Sequence, residues 1–226
     1  MRQLPLDLRI QDKPSFANFW PGENEMVLKA TEALAAGGRG PLYLFGPSGC
    51  GKTHLLAAAV RAGADRGPCA YLSLAQASDA QWEGLEGLPA TALLCVDELD
   101  ALAGRPEWER RLFVLLEDLA PDRRAIFAGR TNPAGLAMTR SDLRTRLASG
   151  PVLALPALSD EAKAEALRYR AAIRGLSLNA PTAAYLLAHG PRDLRALFIV
   201  LEQLDESTLA DGHRLTIPYL RAILGA

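Results

Sequence analysis

Lysine is scarce in this chain. It occurs only at Lys13, Lys29, Lys52 and Lys163, so the positive charge is almost entirely arginine. The formal net charge is −1, which excludes a strongly basic nucleic-acid sponge and a polybasic membrane-surface binder. Cysteine is nearly absent too. Cys50, Cys69 and Cys95 have no C-x-x-C spacing and no histidine companions, which argues against a disulfide framework and a structural zinc site. His54, His189 and His213 are scattered. No apolar run approaches the roughly 20 residues of a membrane helix, and no apolar stretch before a small-residue cleavage site marks a secretory signal. These absences lead to the expectation of a cytoplasmic globular chain with no membrane partner. Its 226 residues suffice for one large domain or two small ones.

Along the chain, short apolar runs alternate with helical patterns. The pattern predicts a helix over Glu23 to Ala36, stopped by Gly37-Gly38, and a strand over Pro41 to Phe45. A helix "THLLAAAVRAGA" and a strand "CAYLSL" follow, and a third strand lies within "ATALLCVDEL". The run "PEWERRLFVLLEDL" reads as a helix with Trp108, Leu112, Leu115, Leu116 and Leu119 on one face. Arg124 to Gly129 and Pro151 to Leu155 supply two more strands. Such alternation implies a parallel sheet covered on both faces. Beyond Pro156 only helical patterns occur, beginning with Ser159 as N-cap and Gly175 as stop, and closing with Thr216 as the cap of "TIPYLRAIL". A boundary near Pro156 therefore separates an α/β core from a small helical unit.

The segment "GPSGCGKT", Gly46 to Thr53, fits G-x-x-x-x-G-K-[ST] in full, with a strand running in and a helix running out. Its backbone N–H groups and the helix N-terminus suit a phosphate chain. Gly46, Pro47, Ser48, Gly49, Cys50 and Gly51 form the cradle; Lys52 is placed on β/γ oxygens and Thr53 on Mg²⁺. The complement is "LLCVDE": a buried strand that releases Asp97 and Glu98 at its C-terminal end, where open α/β sheets bind ligands. Asp97 is then a Mg²⁺ residue and Glu98 a water-polarising one. Two arginines stand out by position: Arg146, just before the fifth strand, and Arg195, opening a helix of the C-terminal unit. Either is a candidate guanidinium for a γ-phosphate, and either is equally a solvated helix charge.

The N-terminal "QLPLDL", Gln3 to Leu8, alternates leucines but contains Pro5, which cannot donate to a sheet ladder. It reads as an edge strand, or as an extended peptide made for another protein's groove.

Together these parts resemble the AAA+ ATPases: a P-loop core with a five-stranded parallel sheet flanked by helices, plus a small C-terminal α-helical lid. "FANFWPGEN", "HLL", "SDLRTRLASG", "LSDEAKAEALRYRAAIRGLSL" and "LFIVLEQLDESTL" narrow the resemblance to the Hda family, regulators related to the replication initiator DnaA. It implies a clamp-binding peptide over residues 1–14, a nucleotide-binding domain over 15–156 and a lid over 157–226. It implies ADP (or ATP) with Mg²⁺ as ligands, and as partners the β sliding clamp, docked through Gln3, Leu4, Leu6 and Leu8, and DnaA itself. A homo-oligomer is allowed. Phe16 to Asn24, with Phe19 and Trp20, corresponds to the segment beside base and ribose; Arg146 matches the arginine finger acting on the partner, and Arg195 the second sensor. The chain departs from the family after the fourth strand: "GRTNP" puts Arg130 where an aspartate is usual, with Asn132 nearby, so its own ATPase is expected to be weak. A helicase loader of the DnaC type and a stand-alone P-loop ATPase are the alternatives. No helix-turn-helix follows the lid pattern, so no sequence-specific DNA binding is expected.

Overall fold

The computed structural model describes residues 13–226 except 86, 90, 118–122, 212–214 and 225–226. The proposed clamp residues Gln3, Leu4, Leu6 and Leu8, and Leu119 of the predicted helix face, lie outside the described residues. Among those described, no helix is long and apolar enough to cross a membrane.

Five parallel strands form one sheet: β1 (Pro41–Phe45), β2 (Cys69–Ser73), β3 (Leu93–Asp97), β4 (Ala125–Gly129) and β5 (Val152–Ala154), in the spatial order β2-β3-β4-β1-β5. The three central strands are continuous apolar runs because both faces are covered. Side chains alternate between the faces with period two. Leu42, Leu44, Leu93, Cys95, Ile126 and Ala128 join the cluster under α1 (Glu25–Ala35) and α2 (Lys52–Gly63). Tyr43, Leu94, Val96, Ala125 and Phe127 join the opposite cluster, under α3 (Asp79–Glu83), α4 (Pro106–Glu117) and α5 (Ser141–Leu147). Each wholly buried leucine in these clusters contributes about 2 kcal/mol by area.

Four helices follow: α6 (Asp160–Ile173), α7 (Ala180–His189), α8 (Leu194–Asp211) and α9 (Ile217–Leu224). They enclose an apolar core of their own, centred on Leu167, Leu186, Leu197, Leu201 and Leu220. The Ser159 side chain accepts from the Ala162 amide at 3.2 Å, as expected of the N-cap. Gly175 takes a φ of +75° one residue past the α6 cap, the left-handed conformation typical of a helix stop.

The structure differs from the sequence pattern at three places. The first long helix begins at Glu25, because Pro21 and Gly22 start a 3₁₀ turn over Gly22–Asn24. The short helices α3 and α5 were not anticipated; at five and seven residues they carry too little periodicity to read. Glu109, in the middle of α4, is wholly buried while Trp108 and Leu115 are only partly so.

Candidate functional site

The phosphate loop, Gly46 to Thr53, leaves β1 at its C-terminal end and enters α2. Two glycines make its curl possible. Gly51 has a φ of +103°, and a Cβ there would meet the Phe19 ring at 2.8 Å; Gly49 has a φ of +79° and lies against the Asp193 carboxylate. Lys52 folds back over the loop, donating to the Gly46 and Pro47 carbonyls at 2.7 Å each. Those bonds hold the ammonium above the cradle, where phosphate oxygens would replace the carbonyls as acceptors. Cys50 is buried, its Sγ 3.5 Å from Lys52 Nζ.

Thr53 and Asp97 meet as the motifs require. Thr53 Oγ1 donates to Asp97 Oδ2 at 2.6 Å, although β3 and β1 are separated by β4. Asp97 is 2% exposed; Oδ1 accepts the Glu98 amide at 2.8 Å and Oδ2 also accepts the Tyr71 hydroxyl at 3.1 Å. Burial, then the adjacent Asp97 carboxylate, push the Tyr71 phenol well above its ordinary range, so it stays a donor. A hydroxyl and a carboxylate paired beside a phosphate cradle are hard oxygen donors of the kind Mg²⁺ takes together with phosphate oxygens and water.

Glu98 is arranged differently. It is the only non-glycine with positive φ among the described residues, at +60°, a strained conformation of the kind kept at functional sites. Its side chain accepts the hydroxyl of Ser73 at the end of β2. Since β2 is the edge strand beyond β3, this contact turns Glu98 away from β1 and the phosphate loop.

Facing the loop is a cleft of about 210 Å³ lined by Ser48, Gly49 and Cys50 on one side and Leu158, Lys163, Arg192 and Asp193 on the other. Lys163 is held there by Asp160 at 2.8 Å. Asp193 caps α8, accepting the Ala196 amide at 3.0 Å. The arginine in the cleft is thus Arg192. Arg195, the second residue of α8, is exposed and is not among the residues lining the cleft. Sequence position favoured Arg195 because it lies within the helical run; the helix in fact starts at Leu194, and its N-terminal approach carries Arg192 to the loop.

The comparisons with known proteins agree with this architecture. The family model described as the bacterial DnaA ATPase domain matches residues 10–154, and that described as the Hda lid domain matches residues 160–224. The chain belongs to the DnaA family of AAA+ proteins. Its lid is of the Hda type. Domain III of the Thermotoga maritima replication initiation protein DnaA superposes with a TM-score of 0.74 at 19% identity, over 93% of this chain and 95% of that one. The replication initiator DnaA bound to AMPPCP and single-stranded DNA gives 0.71 at 22% identity, over 91% and 70%. The Thermotoga maritima RuvB Holliday junction branch migration motor gives 0.60 at 18% identity, over 89% and 70%. These likenesses establish the fold.

Within this DnaA-related frame the remaining expected residues take clear places. Phe19 is buried against Gly51 and the ring of His54, with ring centroids 5.5 Å apart, and Trp20 is half-buried beside it. Arg146 lies in the last turn of α5, on the face of the sheet opposite α2. It pairs with Glu117 at 3.2 Å, and its guanidinium sits 4.9 Å from the centre of the Phe113 ring. It is half-exposed and outside the cleft. Arg130 uses its amide on Asp100 at 2.6 Å and leaves its side chain exposed; Asn132 Oδ1 caps the following turn at the Gly135 amide, 2.9 Å away.

Sequence reading missed four residues of the site. Tyr71 and Ser73 belong to a strand whose pattern says nothing of its end. Lys163 and Arg192 lie far from the loop in sequence, though the rarity of lysine was a signal for the former.

Proposed function

We propose that this chain is a nucleotide-held regulator of DnaA: it binds ADP with Mg²⁺ in the cleft, docks on the β sliding clamp through Gln3 to Leu8, and places Arg146 in the nucleotide site of ATP-bound DnaA to drive hydrolysis there. The observation that carries the reading is the division of labour between two sites. The phosphate loop and the cationic pair Lys163 and Arg192 line one cleft, with Thr53 at the end of that loop bonded to Asp97, whereas Arg146 is on α5, paired with Glu117 and not among the lining residues. A guanidinium supplied in trans stabilises charge on the transferring phosphoryl group and is worth several orders of magnitude in rate, about 10³ to 10⁵.

The residues explain why the chain's own turnover would be low. Ser73 holds Glu98 away from the loop, and no acidic side chain follows β4 at Arg130. Mg²⁺, when bound with nucleotide, would neutralise phosphate charge; Thr53 and Asp97 are the residues to hold it, directly and through water. Lys52 would exchange its two loop carbonyls for phosphate oxygens, and Arg192 would contact the same chain from the lid. The AMPPCP-bound DnaA relative and the match to the Hda lid support nucleotide binding and a DnaA-directed role.

The test is phosphate release from ATP-loaded DnaA, with this protein and ADP, with and without DNA-loaded clamp. A rise that needs the clamp and is lost in Gln3→Ala and in Arg146→Ala supports the reading. Turnover by this protein alone, indifferent to clamp and DnaA, overturns it.

A further inference from the structure

Three hydrogen bonds end on the Asp97 carboxylate, and one of them comes from the edge of the sheet. Oδ1 accepts the Glu98 amide at 2.8 Å. Oδ2 accepts the Thr53 hydroxyl at 2.6 Å and the Tyr71 hydroxyl at 3.1 Å. In the register of β2 with β3, Ser73 stands opposite Asp97. Tyr71, two residues earlier, therefore lies on the same face and reaches Asp97 along the diagonal. Packing does not call for a tyrosine at this place. The residue is 40% exposed and belongs to neither apolar cluster of the core. It stands on the outermost strand, where another β-prone residue would serve as well.

A carboxylate has about four lone-pair directions, so three donors leave Asp97 about one. Held in this way, Asp97 can accept from a metal-bound water but cannot turn both oxygens onto an ion. The two common hard cations differ on this point. Mg²⁺ takes few protein oxygens and keeps several waters, whereas Ca²⁺ takes about six to eight oxygen ligands, often with a carboxylate bound through both oxygens. We infer that Tyr71 is a positioning residue that sets the metal preference of the nucleotide site. By filling a lone pair of Asp97 Oδ2, it confines that carboxylate to a water-mediated role and so favours Mg²⁺ over Ca²⁺. The inference rests on reading Thr53 and Asp97 as the Mg²⁺ residues; it adds the group that enforces the choice of cation. The Glu98 amide is fixed by the main chain, and the Thr53 hydroxyl suits either ion. That leaves the Tyr71 hydroxyl as the donor whose removal changes the choice.

The experiment is calorimetric titration of the full chain with ADP in Mg²⁺, in Ca²⁺ and in excess EDTA. The readout is the gain in affinity from each metal relative to EDTA. In the wild-type chain the gain from Mg²⁺ is expected to exceed that from Ca²⁺ at least fivefold. Tyr71→Phe keeps the ring and loses the bond. Its gain from Ca²⁺ is expected to rise at least threefold, while the gain from Mg²⁺ and the affinity in EDTA stay within twofold. Tyr71→Thr, β-branched and too short to reach Asp97, is expected to do the same, and it decides the matter if Tyr71→Phe does not fold. A tyrosine that served the fold alone would lower all three affinities together, and that result overturns the inference. An unchanged preference in both variants overturns it too. A wild-type chain that takes Ca²⁺ as readily as Mg²⁺ overturns it while leaving the metal site standing. If neither metal changes the wild-type affinity for ADP, the Mg²⁺ reading fails and the inference with it; if ADP does not bind, the nucleotide reading itself fails.

Discussion

Thr53 and Asp97 touch across the width of two strands, Oγ1 to Oδ2 at 2.6 Å, joining the end of the phosphate loop to the end of β3. The bond holds together the two residues proposed as Mg²⁺ donors. Asp97→Asn keeps the shape and removes the charge. It is expected to abolish the part of ADP affinity that depends on Mg²⁺, on the order of tenfold, while affinity measured in excess EDTA stays near that of wild type. Titration with and without the metal checks this; an undiminished Mg²⁺ effect would remove Asp97 from the site.

The Ser73–Glu98 bond turns the second carboxylate away from the loop. In Ser73→Ala, Glu98 is released, and ATP hydrolysis by this protein alone, proposed to be slow, is expected to rise several-fold. The double variant Ser73→Ala/Glu98→Gln should return to the starting rate. Steady-state phosphate release with this protein alone reads the difference, and a rise that survives Glu98→Gln would point to another cause.

Arg192 precedes α8 and Arg195 lies in its first turn, and only the former lines the cleft. Arg192→Ala should weaken ADP by about tenfold, the value of one charge-assisted contact. Arg195→Ala should leave it within twofold. The opposite result would restore Arg195 as the sensing arginine.

Glu109 is wholly buried, and its carboxylate accepts the Thr139 amide and hydroxyl and the Arg140 amide at 2.7–3.1 Å. These bonds fasten the start of α5, the helix that carries Arg146. Glu109→Ala strands three donors, costing about 3 kcal/mol and lowering the thermal midpoint by roughly 10 °C for a chain of this size. Differential scanning calorimetry measures it. A shift below about 2 °C would mean that water replaces the carboxylate.

Burial raises the phenols of Tyr43 and Tyr71 well above the ordinary value near 10, with Asp100 and Asp97 adding to it. The folded state therefore holds these two protons more tightly than the unfolded chain does. Their contribution to stability is complete below pH ~10 and declines as pH rises above it towards the folded-state values. Of the five tyrosines, the wholly buried Tyr43 is expected to ionise only together with loss of far-ultraviolet dichroism in an alkaline titration. Smooth ionisation of all five with the fold intact would contradict this.

The parts of this protein that the sequence determined are those written within one short stretch. A phosphate loop is local because its curl depends on glycines at fixed offsets and on the strand and helix adjoining them. The buried strands are local because an apolar run bounded by turns has few other uses, and Pro41–Phe45 appears as it was read. The Ser159 cap and the Gly175 stop are likewise decided by neighbours one turn away. What the tertiary structure decided are choices between equivalent residues and contacts between distant ones. Whether Arg192 or Arg195 faces the loop depends on where α8 begins and how the lid packs. The direction of Glu98 depends on Ser73, on a neighbouring strand. The helix α5 is too short to announce itself and depends on Glu109 of another helix. The Ala17 and Asn18 carbonyls are held by side chains some 152 positions later, a distance over which no periodicity carries information and only the folded path brings the groups together.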